Sequence, residues 1–199
     1  MILIVDNGSQ YSHLIMRTCR DMDYDSVMLS KDSDYERSVK PIEDKLEYII
    51  LSGGPGSVTE GHAGLGEVVA KKVIDGELKL PLFGICYGHQ IIAKVMGVTV
   101  DRGKNAEYGI SEIIVDKEDR IFKDMPRRFN AWVSHFDEVK EVPTGFSPLA
   151  HSESCGIEAM CNEDKRIYSV QFHPEVWHTD YGERIIENFL EDPDELVNI

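Results

Sequence analysis

What most constrains this chain is the rhythm of its first hundred residues, where short apolar runs without charge alternate with segments of helical period. The runs fall at 2–5, 26–29, 48–51 and 80–85, and the helical segments at about 11–22, 65–74 and 89–96. Leu65, Val68, Val69 and Val73 recur at i, i+3, i+4 and i+8, one face of a 3.6-residue period. Strands without charge on either face need cover on both, as in a parallel sheet between helices. Beyond about residue 98 the pattern turns to short strands at 111–115, 131–134, 139–142 and 167–172, broken by Pro126, Pro143-Thr144-Gly145 and Pro148. A closing helix over 182–190 puts Ile185, Ile186, Phe189 and Leu190 on one stripe, and Pro193 ends it. The expectation is an α/β fold, a mostly parallel central sheet flanked by helices with additional antiparallel strands in the second half. No linker, repeat or low-complexity tract divides residues 1–199, which read as a single domain.

Charge narrows the partners. With 36 acidic against 21 basic side chains the net charge is −15, which repels phosphate backbones. The densest basic cluster is Arg127-Arg128, so no nucleic-acid partner is expected. The acidity serves either solubility or a face complementary to a basic partner protein. No run approaches the roughly 18 apolar residues of a membrane span. The first residues lack a basic flank and a cleavage site, so no membrane association and a cytoplasmic location are expected. Cys19, Cys86, Cys155 and Cys161 form no C-x-x-C pair, and no histidine motif has ligand spacing, so no metal is expected. Cys19 shares a helical stripe with Leu14, Ile15 and Met22, as a buried small hydrophobe would. Cys155 and Cys161 fall in strand-like sequence without companions that would activate a thiol.

Cys86 stands apart. The apolar run 80–85 passes through Gly84-Ile85-Cys86-Tyr87-Gly88 into a helix, the thiol form of a nucleophile elbow. A sharp strand-to-helix turn strains the backbone at the nucleophile and leaves no room for side chains on either flank, hence the two glycines. The turn sets the sulfur at a helix N-terminus, where the dipole and free N–H groups favour a thiolate. The Tyr87 N–H faces an oxyanion formed by attack at the sulfur, and Gln90, one turn on, is placed to hydrogen-bond the substrate.

A thiolate mechanism needs a proton shuttle. Among seven histidines, His173 in Gln171-Phe172-His173-Pro174-Glu175 is favoured, because it ends an alternating strand and Glu175, two residues on, can orient its ring. Cys86, His173 and Glu175 thus form a nucleophile, base and orienter set. His89 is the rival base, lacking an orienting carboxylate; His13, His62, His151 and His178 show no acid–base partner. The turn Ser52-Gly53-Gly54-Pro55-Gly56 after the run 48–51 offers backbone N–H groups, either to a phosphate or to an oxyanion. It is not a Walker-type P-loop, and Gly56 replaces the aspartate of the S-G-G-x-D-S loop of ATP pyrophosphatases.

S-G-G-P-G, then G-x-C-x-G-x-Q, then F-H-P-E, in this order and nearly end to end, resemble the class I glutamine amidotransferases. The resemblance implies that Cys86 attacks the carboxamide of glutamine, that His173 moves the protons and that Glu175 orients His173. It also implies oxyanion donation from Gly54 and Tyr87, glutamine held with help from Gln90, and no cofactor in this chain. Asp6-Asn7-Gly8-Ser9-Gln10-Tyr11, Trp132-Val133-Ser134-His135 and Val176 followed by His178-Thr179 look like the GMP synthetase branch. There Ser134 and Asp137 are candidate substrate or partner contacts, while Phe136 and Trp177 depart from smaller residues usual in that branch. By the same resemblance a separate ATP-pyrophosphatase subunit, binding ATP and Mg, would use the ammonia, because no such domain is seen in these 199 residues. Two enzymatic alternatives are a subunit of another synthase, such as anthranilate synthase, and a free-standing γ-glutamyl hydrolase. A third reading is a non-catalytic binding module.

Overall fold

The computed structural model describes residues 1–191. Its nine described strands form one sheet in the order β2-β1-β3-β4-β9-β8-β7-β5-β6. The parallel part comprises β1 (Ile2–Asp6), β2 (Ser26–Ser30), β3 (Tyr48–Leu51), β4 (Leu82–Ile85) and β9 (Ile167–Val170). The antiparallel part adds β8 (Ala159–Asn162), β7 (Ser147–His151), β5 (Val100–Val115) and β6 (Arg128–Val139). Parallel and antiparallel pairings therefore share the sheet evenly, where the sequence pattern suggested a parallel majority.

The helices are α1 (Ser12–Asp21), α2 (Tyr35–Ser38), α3 (Leu65–Ile74), α4 (Tyr87–Val95) and α5 (Gly182–Leu190). The predicted helices at 65–74 and 182–190 agree in extent, whereas α4 begins two residues before the predicted 89. Pro193, the expected stop after α5, lies outside the described residues. Among those residues no helix is long and apolar enough to cross a membrane.

Alternation along β1 explains the absence of charge over residues 2–5. Ile2 and Ile4 enter one core with Phe83, Ile85, Ile185 and Phe189, while Leu3 and Val5 enter the other with Leu51, Val69 and Ile92. Phe189 of α5 anchors the first core, stacked on Phe83 at 5.1 Å and edge-on to Tyr48 at 5.7 Å. In the parallel part, the chain passes from β1 outward to β2 and then returns to β3 on the other side. Such a reversal opens a crevice at the carboxyl ends of β1 and β3.

Two predicted strands end early. Lys140 to Val142 are not strand, because β6 ends at Val139, its pair with Val100. The run expected to reach Phe172 stops at Val170, paired with Ile85 of β4, because β4 there bends into the elbow and leaves no parallel neighbour. His173 therefore stands in the loop after β9, three residues past the strand.

Candidate active site

Three chain segments meet at the crevice. The first is the elbow. Cys86 caps α4 with φ 51° and ψ −99°, a strained conformation for a residue with a side chain. A Cβ on Gly84 would stand 2.7 Å from the Gly88 backbone, and one on Gly88 would stand 2.5 Å from the Leu51 carbonyl oxygen. The bend thus packs against β3 with no space for side chains at either glycine. Cys86 N–H donates to Val170 O at 2.8 Å and its carbonyl accepts from Gln90 N–H at 3.1 Å, tying the elbow to β9 and to the first turn of α4.

The second segment is the glycine turn. Asn7, just past β1, donates from its backbone N–H to Ser52 Oγ at 2.9 Å and from Nδ2 to the Ser52 carbonyl at 2.8 Å. Ser52 Oγ in turn donates to the Gly53 carbonyl at 2.8 Å. A Cβ on Gly54 would lie 2.6 Å from the Asn7 carbonyl oxygen, so this backbone runs flush against the β1 exit.

The third is the loop after β9. His173 Nδ1 and Glu175 Oε1 are 2.8 Å apart and both residues are buried. The His173 backbone is fixed by its N–H to Trp132 O at 2.9 Å and by Thr179 Oγ1 donating to its carbonyl at 2.6 Å. Tyr11 sets its ring edge-on to the imidazole, 5.5 Å between centroids. Burial works against a charge on His173, yet the Glu175 carboxylate and the Cys86 sulfur, through charge and hydrogen bonds, hold its pKa well above the usual imidazole range. The ring that Glu175 orients is thus the one that meets the sulfur.

A cavity of about 890 Å³ is lined by Gly54, Cys86, Tyr87, Gln90, Ser134, Asp137 and His173, with Glu175 behind His173. Three of these residues also make contacts within the chain. Gln90 is buried, and its amide nitrogen already donates to Asp137 O at 2.8 Å and to Gln171 Oε1 at 3.1 Å. Ser134 and Asp137 contribute backbone carbonyls: Ser134 O lies 4.0 Å from Cys86 Sγ, and Asp137 O accepts from Gln90.

Sequence reasoning missed Gln171. It is fully buried and its Nε2 donates to Cys86 Sγ at 3.6 Å; one amide in the apolar run before His173 was its only signal. It also missed a buried group beside the cavity. Glu107 Oε1 accepts from Ser111 and Ser152 hydroxyls at 3.0 and 2.9 Å, and Glu107 Oε2 lies 3.0 Å from His135 Nε2. Burial opposes charge on Glu107, but hydrogen bonds from His135, Glu158 and Ser152 hold its pKa down at about 2. Glu158, wholly buried, is pushed the other way, well above the usual carboxylate range, by burial and by the Glu107 charge.

The remaining histidines and thiols are not built for this chemistry. His89 is buried in α4, with Nδ1 on Ser169 Oγ at 2.8 Å, and burial followed by the His135 charge lowers its pKa to about 3. His151 does have a carboxylate, Asp116 at 2.7 Å, contrary to expectation, but it lies on β7 outside the cavity lining. Cys155 lies outside the strands, and both it and Cys161 of β8 have acidic companions. Glu107 and Glu158 stand by Cys155, and Asp119 Oδ2 lies 3.4 Å from Cys161 Sγ. These groups offer metal-ligand atoms within 4.8 Å of one another, Glu163 completing the second. Burial raises both thiols, Cys161 to about 12, and the neighbouring carboxylates raise them further.

The family profile of class-I glutamine amidotransferases matches residues 3–192. The chain is 47% identical over 193 residues to a subunit of the glutamine-hydrolysing GMP synthase of Methanocaldococcus jannaschii, covering 95% of both chains. Its identity to the corresponding Pyrococcus abyssi subunit is 46% over 191 residues, with 95% and 96% covered. A crystal structure of a Thermoplasma acidophilum protein assigned as a GMP synthase subunit superposes with a TM-score of 0.83. Its identity is 34%, over 94% of this chain and 90% of that one.

Proposed function

The chain belongs to the class-I glutamine amidotransferase family, and from that premise we propose that it is the glutamine-hydrolysing subunit of a two-subunit GMP synthetase. The observation that carries the reading is the hydrogen-bonded series from Glu175 through the His173 ring to a sulfur held at a strained elbow. In this mechanism the Cys86 thiolate attacks the side-chain carboxamide carbon of glutamine. The carbonyl electrons move onto oxygen, which faces the Gly54 and Tyr87 backbone N–H groups. His173 then gives its proton to the departing nitrogen, releasing ammonia and leaving a thioester on Cys86. Next the neutral ring takes a proton from water, which attacks the thioester; glutamate leaves and the thiolate returns. Glu175 orients the ring and stabilises its charged form.

Under this reading the ammonia aminates XMP in a separate ATP-pyrophosphatase subunit, where ATP and Mg bind. The near-complete coverage of relatives named as GMP synthase subunits supports a division of labour between two chains. The chain itself needs no cofactor for glutamine hydrolysis, and a cytoplasmic location suits a soluble biosynthetic subunit. The test is ammonia release from glutamine by the wild type and Cys86→Ala, alone and with the synthetase subunit, XMP and ATP. The expected result is a low wild-type rate that partner and nucleotides raise strongly, and none from Cys86→Ala. A rate unmoved by the partner would mark a free-standing hydrolase, and unchanged activity in Cys86→Ala would overturn the mechanism.

A further inference from the structure

Among the described residues, the exposed large hydrophobic side chains are Tyr108 and Ile110 on β5, Phe136 on β6, and Trp177 and Tyr181 before α5. Register places the three strand residues together, because Tyr108 pairs with Ser134 and Ile110 with Trp132, on the same sheet face as Phe136. The rings are continuous. Tyr108 meets Trp132 at 5.8 Å, Trp132 stacks on His178 at 5.1 Å, and His178 meets Trp177 at 3.6 Å between centroids. Tyr108 and Phe136 also line the cavity that contains Cys86, so the patch begins at its lip.

We propose that this aromatic surface docks the ammonia-consuming, ATP-dependent subunit, an inference that rests on the amidotransferase reading above. Trp177 is 83% and Tyr108 80% exposed, an arrangement that leaves large apolar area in water unless a partner covers it. Tryptophan and tyrosine are the side chains that most often anchor interfaces. The alternative occupant, a second copy of this chain, would set −15 against −15, so charge favours a different, basic-faced chain. The position at the cavity lip suits the chemistry. Neutral ammonia released into open water is diluted and protonated, whereas a dry seal around the opening passes it on still nucleophilic.

The test uses Ile110→Asp and Trp177→Ala, two exposed positions outside the cavity lining, with Arg17→Ala on α1 as a control. Affinity for the synthetase subunit is measured by titration calorimetry. Ammonia release without partner and the thermal midpoint report that the site and fold are intact. Each patch variant is expected to weaken assembly at least tenfold and to lose partner-stimulated activity in proportion, with the other two readouts unchanged and Arg17→Ala binding as wild type. Patch variants that bind as tightly as wild type, in a complex that does form, overturn the docking surface alone. A wild type that forms no complex overturns the functional reading and the proposal with it. Self-association of the wild type that Trp177→Ala abolishes assigns the patch to a second copy and overturns the proposed occupant.

Discussion

Gly53 and the imidazole of His173 are in such close contact that a Cβ at residue 53 would lie 2.8 Å from His173 Cε1. The bare backbone of the glycine turn is therefore a wall of the pocket in which the ring stands. It limits the movement of the ring on that side, as the contacts with Glu175 and Tyr11 do on others.

Gly53→Ala should accordingly push the ring while leaving both cores untouched. A displacement near 1 Å at a reacting group costs on the order of 10²-fold. The expected outcome is a loss of that size in kcat/KM for glutamine, with a thermal midpoint within a few degrees of wild type. Full activity in the alanine variant would show that this contact does not set the ring position.

Glu175→Gln removes the carboxylate that, after burial has worked against charge, does most to keep His173 protonated. The ring can give a proton to departing ammonia only below its own pKa, so activity falls as pH rises through that value. Removing Glu175 lowers the value, and the alkaline limb of the pH–rate profile should move to lower pH. Turnover should fall by roughly 10²–10⁴, the usual contribution of a positioned acid–base group. An unmoved alkaline limb would assign it to another group.

Thiol reactivity separates the four cysteines. Burial raises Cys19 and Cys161 to about 12, and raises Cys155 by the same cause with Glu158 adding to it. Iodoacetamide should therefore modify Cys86 alone in the folded protein near neutral pH, because thiolates are the reactive form. Gln171→Leu, which deletes the amide donating to Cys86 Sγ, should slow that modification. Mass spectrometry after timed quenching checks both outcomes, and early labelling at any other cysteine would contradict the first.

The sequence was legible where burial or sterics left little choice. The stretches 2–5 of β1, 48–51 of β3 and 82–85 of β4 lie between two cores and so carry no charge, and the glycines at 84 and 88 mark a bend that admits no Cβ. The β5–β6 ribbon was read only in fragments. Its first half, Val100 to Tyr108, is mostly exposed and rich in charge, and its pairing shifts register between Arg102 and Glu107. β7 was hidden by Pro148. Of the site, the elbow and the His173–Glu175 pair could be read because each is local in sequence. Gln171 against Cys86, Tyr11 against His173, and Glu107 with His135 and Glu158 could not, because only the fold brings such distant residues together.

The Glu107–Glu158 pair gives the protein an unusual dependence of stability on pH. Glu158 is wholly buried beside Glu107, Ser152, Cys155 and the Glu107-bound His135, and burial with the Glu107 charge raises it well above 4.5. Between 4.5 and its raised folded value, the native chain keeps a proton that the unfolded chain gives up, so stability falls as pH rises through that window. Glu107 acts in the opposite sense: its stabilisation is full above 4.5 and is lost as pH falls towards about 2. Glu158→Gln retains an N–H donor for Glu107 but has no proton to lose. Its thermal midpoint should match wild type near pH 4 and exceed it increasingly as pH rises above 4.5. Each kcal/mol corresponds to about 2–4 °C for a chain of this size. Melting curves across that range decide the matter: two parallel midpoint-against-pH curves would mean that Glu158 does not hold its proton in the folded state.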